Sequence, residues 1–205
     1  MKKEGVYRSS SKVHETKWAT APKPYNPNPF RTLLSSAEAH YLFTKNLGPG
    51  NYAHLGVYKG GSIWCQLHGL KGTDAKLYAV DVWEIMPHTE AEDQHKDFIQ
   101  AKCLEAGFQD KLVICKGSTG SWAKRLSNLQ FRFIFVDASH DYDNVHLDWV
   151  MWSPLVAEGG EVAFHDVDIH SVVRVIDEID KNEWEEVEGC YSIRTFKRKK
   201  PCQNQ

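Results

Sequence analysis

At 205 residues and a formal net charge of −2, the chain can close one substantial core and carries no basic excess to attract nucleic acid. Its five cysteines, Cys65, Cys103, Cys115, Cys190 and Cys202, are odd in number and scattered without a CxxC pair, which argues against a disulfide framework or a structural zinc site. No apolar run approaches a membrane span, and "MKKEGVYRSSSKVHETKW" lacks the apolar segment of a signal peptide, so the expectation is a cytoplasmic protein with no membrane partner.

Residues 1–30 contain Pro22, Pro24, Pro27 and Pro29, which bar a regular helix or a central strand. They are read as an extended arm that is either disordered or packed over the body. Exchange of the arm between copies would build a homo-oligomer. Residues 31–199 read as a single domain and 200–205 as a polar tail, with "RTFKRKK" before it taken as a solvated basic end.

Within the domain, "SSAEAHYLFTKN" has helical character, with Ser35 or Ser36 as its cap. "NYAHLGV" is a strand that runs through "YKGGS" into a helix over 62–70. "KLYAVDVW" is a strand, and "EDQHKDFIQAKCLEAG" is a helix stopping at Gly107. The strand "KLVICKG", the short helix "TGSWAKRLSN" and the strand "FRFIFVDA" follow. Then come the helix "NVHLDWVMWSPLV", with Val145, Trp149 and Trp152 as its buried stripe, the strand "GEVAFHDV" and the helix "HSVVRVIDEID". "WEEVEG" and "YSIRTFKRK" pair as a closing hairpin. The fold class is therefore α/β: a doubly wound, mostly parallel seven-stranded sheet with a C-terminal antiparallel hairpin.

The chemistry falls at strand C-termini: the Gly56 loop, Asp81, Ser118, Asp137 and Asp166. In open α/β sheets that edge binds ligands. "HLGVYKGGS" lets the backbone approach a ligand closely and opens a helix whose N-terminus suits a carboxylate or phosphate. It fits neither G-x-G-x-x-G nor the Walker pattern. Asp81, 25 residues past Gly56, is placed to accept ribose hydroxyls, and Trp83 to pack on an adenine ring. "FIFVDASHDYD" crowds Asp137, His140 and further polar groups after one strand; a cap accounts for Asp141 or Asp143 alone.

Together, "HLGVYKGGS", "LYAVDVW" and "FIFVDASHDYDNVHLDWVMWSPLVAEGGEVAFHDV" resemble the class I S-adenosylmethionine-dependent methyltransferases, and more narrowly the macrocin-type sugar O-methyltransferases of the methyltransferase-24-like group. The resemblance spans about residues 50–168. It implies the Rossmann-like methyltransferase fold and S-adenosylmethionine as cofactor. Gly56, Gly60, Gly61 and Ser62 would hold the methionine part and Asp81 the ribose. Ser118, with Trp122 beside it, would lie near the adenine, and Tyr58, Trp83 and Asp137 complete the cofactor set. His54 stands where the family carries an acid that orders the cofactor loop.

Asp137 and Asp166 should end neighbouring strands, where two like charges favour a Mg²⁺ between them. Asp168 is the third candidate ligand, standing where some relatives have a second consecutive acid. His140, with Asp137, is the catalytic candidate: histidine titrates near working pH and would take the proton of an acceptor hydroxyl. His165 is placed behind the site, and Asp148 reads as structural. Trp18, Tyr25 and Phe30 of the arm, with "WEIMPHTEAEDQH" carrying Met86, Pro87 and His88, would form a lid over a small-molecule acceptor, a sugar or a phenol. The rivals are a methyltransferase fold that binds without catalysis, a nicotinamide-dependent oxidoreductase, and a nucleic-acid methyltransferase, for which an N/D-P-P-Y-type motif is missing.

Overall fold

The five parallel strands are largely apolar and can be covered on both faces, while the closing pair, "WEEVEGC" and "IRTFKR", is more polar and ends the sheet at one edge. The computed structural model describes residues 24–30, 32–83 and 92–200, with the side chains of 92–95 set aside. The strands are β1 (Asn51–Leu55), β2 (Lys76–Asp81), β3 (Leu112–Lys116), β4 (Phe131–Val136), β5 (Val156–Phe164), β6 (Trp184–Cys190) and β7 (Ile193–Arg198). Their order is β3-β2-β1-β4-β5-β7-β6. The first five pair in parallel, and β7 runs antiparallel to both β5 and β6. The expected fold class, hairpin included, is the one observed.

Helices α1 (Ser36–Lys45), α2 (Gly61–Gly69) and α3 (Glu92–Glu105) contribute to one apolar cluster with Tyr52, Leu77 and Phe135. Helices α4 (Thr119–Arg125), α5 (Tyr142–Trp152) and α6 (His170–Asp177) contribute to the other with Leu55, Ile134 and Phe164. Strand side chains alternate between these two cores, as expected when both faces are buried. Among the described residues no helix is long and apolar enough to cross a membrane, and Cys65, Cys103, Cys115 and Cys190 form no disulfide.

Ser35 caps α1 through a capping box. Its hydroxyl accepts from Glu38 N, and Glu38 Oε2 accepts from Ser35 N at 2.8 Å. The part of the arm that is described is core. Tyr25 and Phe30 are buried, Trp64 Nε1 donates to the Tyr25 carbonyl, and Asn28 donates to the Gly61 carbonyl. This corrects the lid reading for Tyr25 and Phe30: the Tyr25 ring packs on His40 and Phe43 of α1 and the Phe30 ring on Trp64 of α2. Trp18 and Met86, Pro87 and His88 lie outside the described residues.

Helix α5 ends earlier than its apolar pattern suggests. Pro154 cannot donate to an α-helical ladder, so Ser153–Leu155 tightens into a 3₁₀ turn and β5 begins at Val156. The buried stripe of α5 is Val145, Asp148 and Trp152, while Trp149 is only half-buried. Asp148 is 2% exposed and takes a hydrogen bond from Thr119 at the start of α4. Burial pushes its carboxyl up to about 6, against the Thr119 bond, with the nearby Asp141 charge adding to the rise. The folded state thus holds the proton more tightly than the unfolded chain does. Below the unfolded pKa Asp148 costs nothing; as pH rises from there through about 6 the buried charge develops and stability falls by roughly 3 kcal/mol. Asp148→Asn should flatten denaturant-measured stability between pH 4 and 6.5 and exceed the wild type at pH 7.5. An unaltered pH slope would show that Asp148 is not the responsible group.

Candidate active site

The sheet order reverses between β1 and β4, which opens a crevice at their C-terminal ends. Gly56 leaves β1 with φ +86°, and a Cβ there would sit 2.2 Å from the Asp137 carbonyl oxygen and 2.4 Å from Ala138 Cα. Only glycine lets the loop after β1 touch the loop after β4. Tyr58 also has positive φ, and its ring is exposed, while Gly60 enters α2 in the left-handed region. Asp81 fastens this loop. Its Oδ2 accepts from Val57 N at 2.7 Å and Tyr58 N at 3.1 Å, and its Oδ1 accepts from Trp83 N at 2.9 Å. Trp83 is 2% exposed, so its ring forms part of the wall rather than an open platform.

His54 is wholly buried one residue before the end of β1. Its Nδ1 meets Gln66 Oε1 at 2.5 Å and its Nε2 meets Ser62 Oγ at 3.2 Å. Gln66 in turn donates to Asn46 Oδ1 at 3.3 Å. Burial pushes the His54 pKa down, against the opposing pull of the Asp137 charge and the Gln66 bond, so the ring is neutral at physiological pH. A neutral imidazole therefore braces the start of α2 by hydrogen bonds. Gln66 and Asn46 were not singled out from the sequence. The signal that would have found them is a polar residue on the buried face of an otherwise apolar helix.

Ser118 is exposed and serves as the N-cap of α4, accepting from Ser121 N at 3.3 Å. Trp122 is half-buried, with Nε1 donating to the Lys116 carbonyl and Arg125 over its ring.

Across the crevice, the ligand atoms of Asp137, His140 and Asp166 all lie within 4.8 Å of one another. His140 is half exposed and places Nε2 2.7 Å from Asp166 Oδ2. Asp166 adopts φ +53°, a left-handed conformation that aspartate tolerates, and functional sites are where such backbone strain collects. Ser171 of α6 donates to the His140 carbonyl, which ties the β4–α5 loop to the first turn of α6. Tyr142 donates to Glu178 at 2.8 Å beneath the Arg174 guanidinium, 3.8 Å from its ring centroid. Asp168 is exposed and stands apart from the three-residue cluster. This corrects its placement as a ligand: two residues after Asp166 the chain is already turning into α6.

His165 is the group the sequence undervalued. Its Nδ1 lies 3.1 Å from Asp137 Oδ1 and 3.2 Å from Asp166 Oδ2, well aligned with neither. Its Nε2 meets Ser192 Oγ at 3.1 Å, and Ser192 N and Oγ both donate to the buried Glu38. Burial opposes charge on this ring, but contact with Asp137 and the charges of Asp166 and Glu38 outweigh it and raise the pKa to about 9. An imidazolium thus partly compensates the two carboxylates at neutral pH. Residues 154 positions apart in sequence meet here, in the bond from Ser192 to Glu38.

Two carboxylates with an imidazole, on two converging loops, form a donor set that fits a divalent cation, and the glycine loop beside them fits a nucleotide-like ligand. Residues 53–167 match the profile of a family described as a methyltransferase domain. No curated protein matches the sequence. Among solved structures, an O-methyltransferase from Bacillus cereus in complex with SAH superposes with a TM-score of 0.62 at 16% identity, over 82% of each chain. The O-methyltransferase TomG from Streptomyces achromogenes, in complex with SAM, gives 0.63 at 13% identity, over 82% of each chain. The SAH-bound methyltransferase PaMTH1 from Podospora anserina gives 0.65 at 13% identity, over 80% of this chain and 78% of that one. At such identities these likenesses concern the fold.

Proposed function

The chain belongs to the methyltransferase domain family, within the class I S-adenosylmethionine-dependent methyltransferases, and on that premise we propose that it methylates a hydroxyl of a small molecule, a sugar or a phenol, in the cytoplasm. Membership sets the oxidoreductase reading aside. The observation that carries the proposal is the contact between the Gly56 loop and Asp137, which puts a cofactor-type loop against the Asp137–His140–Asp166 cluster.

In this reading Gly56, Tyr58, Gly60, Gly61 and Ser62 line the methionyl end of the cofactor. Asp81 has lone pairs left for the ribose after fixing the loop. Trp83 walls the nucleoside, and Ser118 borders the adenine. S-adenosylmethionine supplies the methyl group on a good leaving sulfur. His140 does the proton work. With Nε2–H directed at Asp166, its Nδ1 is the acceptor for the hydroxyl proton, and Asp166 steadies the imidazolium that forms. The largest remaining contribution of the protein would be holding the hydroxyl oxygen in line with the methyl group that bound S-adenosylmethionine would supply. Asp137 and Asp166 would hold Mg²⁺, with His140 within reach of it; that ion supplies Lewis acidity toward a hydroxyl oxygen.

The test is a methylation assay with S-adenosylmethionine and a panel of sugars and phenols, with Mg²⁺ or with EDTA. A methyl ether formed together with one S-adenosylhomocysteine, at a rate that falls in EDTA, is expected. An EDTA-insensitive rate would remove the metal from the mechanism. Cofactor binding without product across the panel would favour a binding module.

A further inference from the structure

Beneath the glycine loop runs a line of hydrogen bonds whose direction is fixed at one end. The Leu42 carbonyl can only accept, so Asn46 Nδ2 donates to it at 2.7 Å. That turns Asn46 Oδ1 toward Gln66 Nε2, at 3.3 Å, and leaves Gln66 Oε1 facing His54. An amide oxygen has no proton to give, so His54 Nδ1 carries the hydrogen. The ring is neutral, which makes Nε2 a bare acceptor, and the Ser62 hydroxyl 3.2 Å away donates to it. Asn46, His54 and Gln66 have no exposed surface at all; the line surfaces only at Ser62, which is 8% exposed.

A free serine hydroxyl rotates to suit its ligand. This one is not free, because turning its proton outward would strand His54 Nε2, a wholly buried acceptor. What Ser62 Oγ offers the crevice is its lone pairs. A carboxylate there meets like-signed density, whereas an ammonium brings its own protons.

We propose that Ser62 is an acceptor for the ammonium group at the methionyl end of the cofactor, and that His54, Gln66 and Asn46 are positioning residues that hold it in that state. The proposal rests on the cofactor reading above and deepens it. The imidazole at position 54 acts through hydrogen-bond direction, orienting Ser62 without carrying charge. The carboxylate of the same ligand is left to the backbone N–H groups at the start of α2.

The experiment is calorimetric titration of the full chain with S-adenosylhomocysteine and with its desamino analogue, which keeps the carboxylate and lacks the ammonium. Gln66→Met interrupts the line at similar volume without touching the crevice. Ser62→Ala removes the acceptor without opening the core, and serves if the Met variant fails to fold. Each variant should bind S-adenosylhomocysteine about tenfold more weakly while its affinity for the desamino analogue stays unchanged. Equal weakening of both ligands would reduce the line to a structural brace and overturn the proposal, as would undiminished affinity for S-adenosylhomocysteine. A wild-type chain that binds neither ligand would overturn the cofactor reading and this proposal with it, a result distinct from an unselective loss.

Discussion

Turnover in a His140→Ala variant should fall by about 10²–10⁴-fold, the range for removal of a general base, while affinity for S-adenosylhomocysteine should be unchanged. The separation follows from the geometry. His140 lies across the crevice from the glycine loop, paired with Asp166, and its side chain is 54% exposed. Truncating it opens no cavity in either core, and the glycine loop keeps its own anchor in Asp81. A purely structural role would show in the thermal midpoint and in cofactor affinity, and this variant should move neither. A single-turnover assay at saturating cofactor separates chemistry from binding. Wild-type turnover in the variant would remove His140 as the base and leave Asp137 as the candidate.

Gly56→Ala should be the most damaging single substitution in the cofactor loop. The new Cβ would lie 2.2 Å from the Asp137 carbonyl oxygen, in a backbone conformation that L side chains seldom adopt. Neither neighbour is a flexible side chain, so backbone has to shift, at a cost of at least about 2 kcal/mol from the left-handed conformation and the overlap together. The shift pulls Val57 N and Tyr58 N away from Asp81 and separates the loop from Asp137. Thermal unfolding with and without S-adenosylhomocysteine is the readout. The wild type should gain a ligand-dependent rise in midpoint, and the variant should start lower and gain none. A variant with the full ligand-dependent rise would mean that the close approach of the two loops is dispensable.

The sheet was legible because parallel strands buried on both faces read as continuous apolar runs, as "FRFIFV" does. The hairpin was legible in its two short strands, and the end of α5 was not, because the apolar periodicity continues through Ser153 while Pro154 stops the helix. The convergence of Asp137, His140 and Asp166 could be anticipated, since strand order brings strand ends together. Asp168 was misplaced by spacing alone; the turn into α6 carries it out of the cluster. The role of His54 could not be read, because its partners are tertiary. Gln66 lies 12 residues on and Asn46 another 20 back, on two helices whose packing the sequence pattern does not specify. The same holds for His165, whose environment is assembled from α1, β5 and the turn between β6 and β7. Charge complementarity at these positions exists only once the chain has folded.

The most direct measurement is calorimetric titration of the purified chain with S-adenosylhomocysteine, beside Asp81→Ala. Binding at one site with a dissociation constant on the order of micromolar, weakened by about 1–3 kcal/mol in the variant, is the predicted result. No heat of binding in the wild type, or equal affinity in the two proteins, would contradict a cofactor site built on the glycine loop and Asp81.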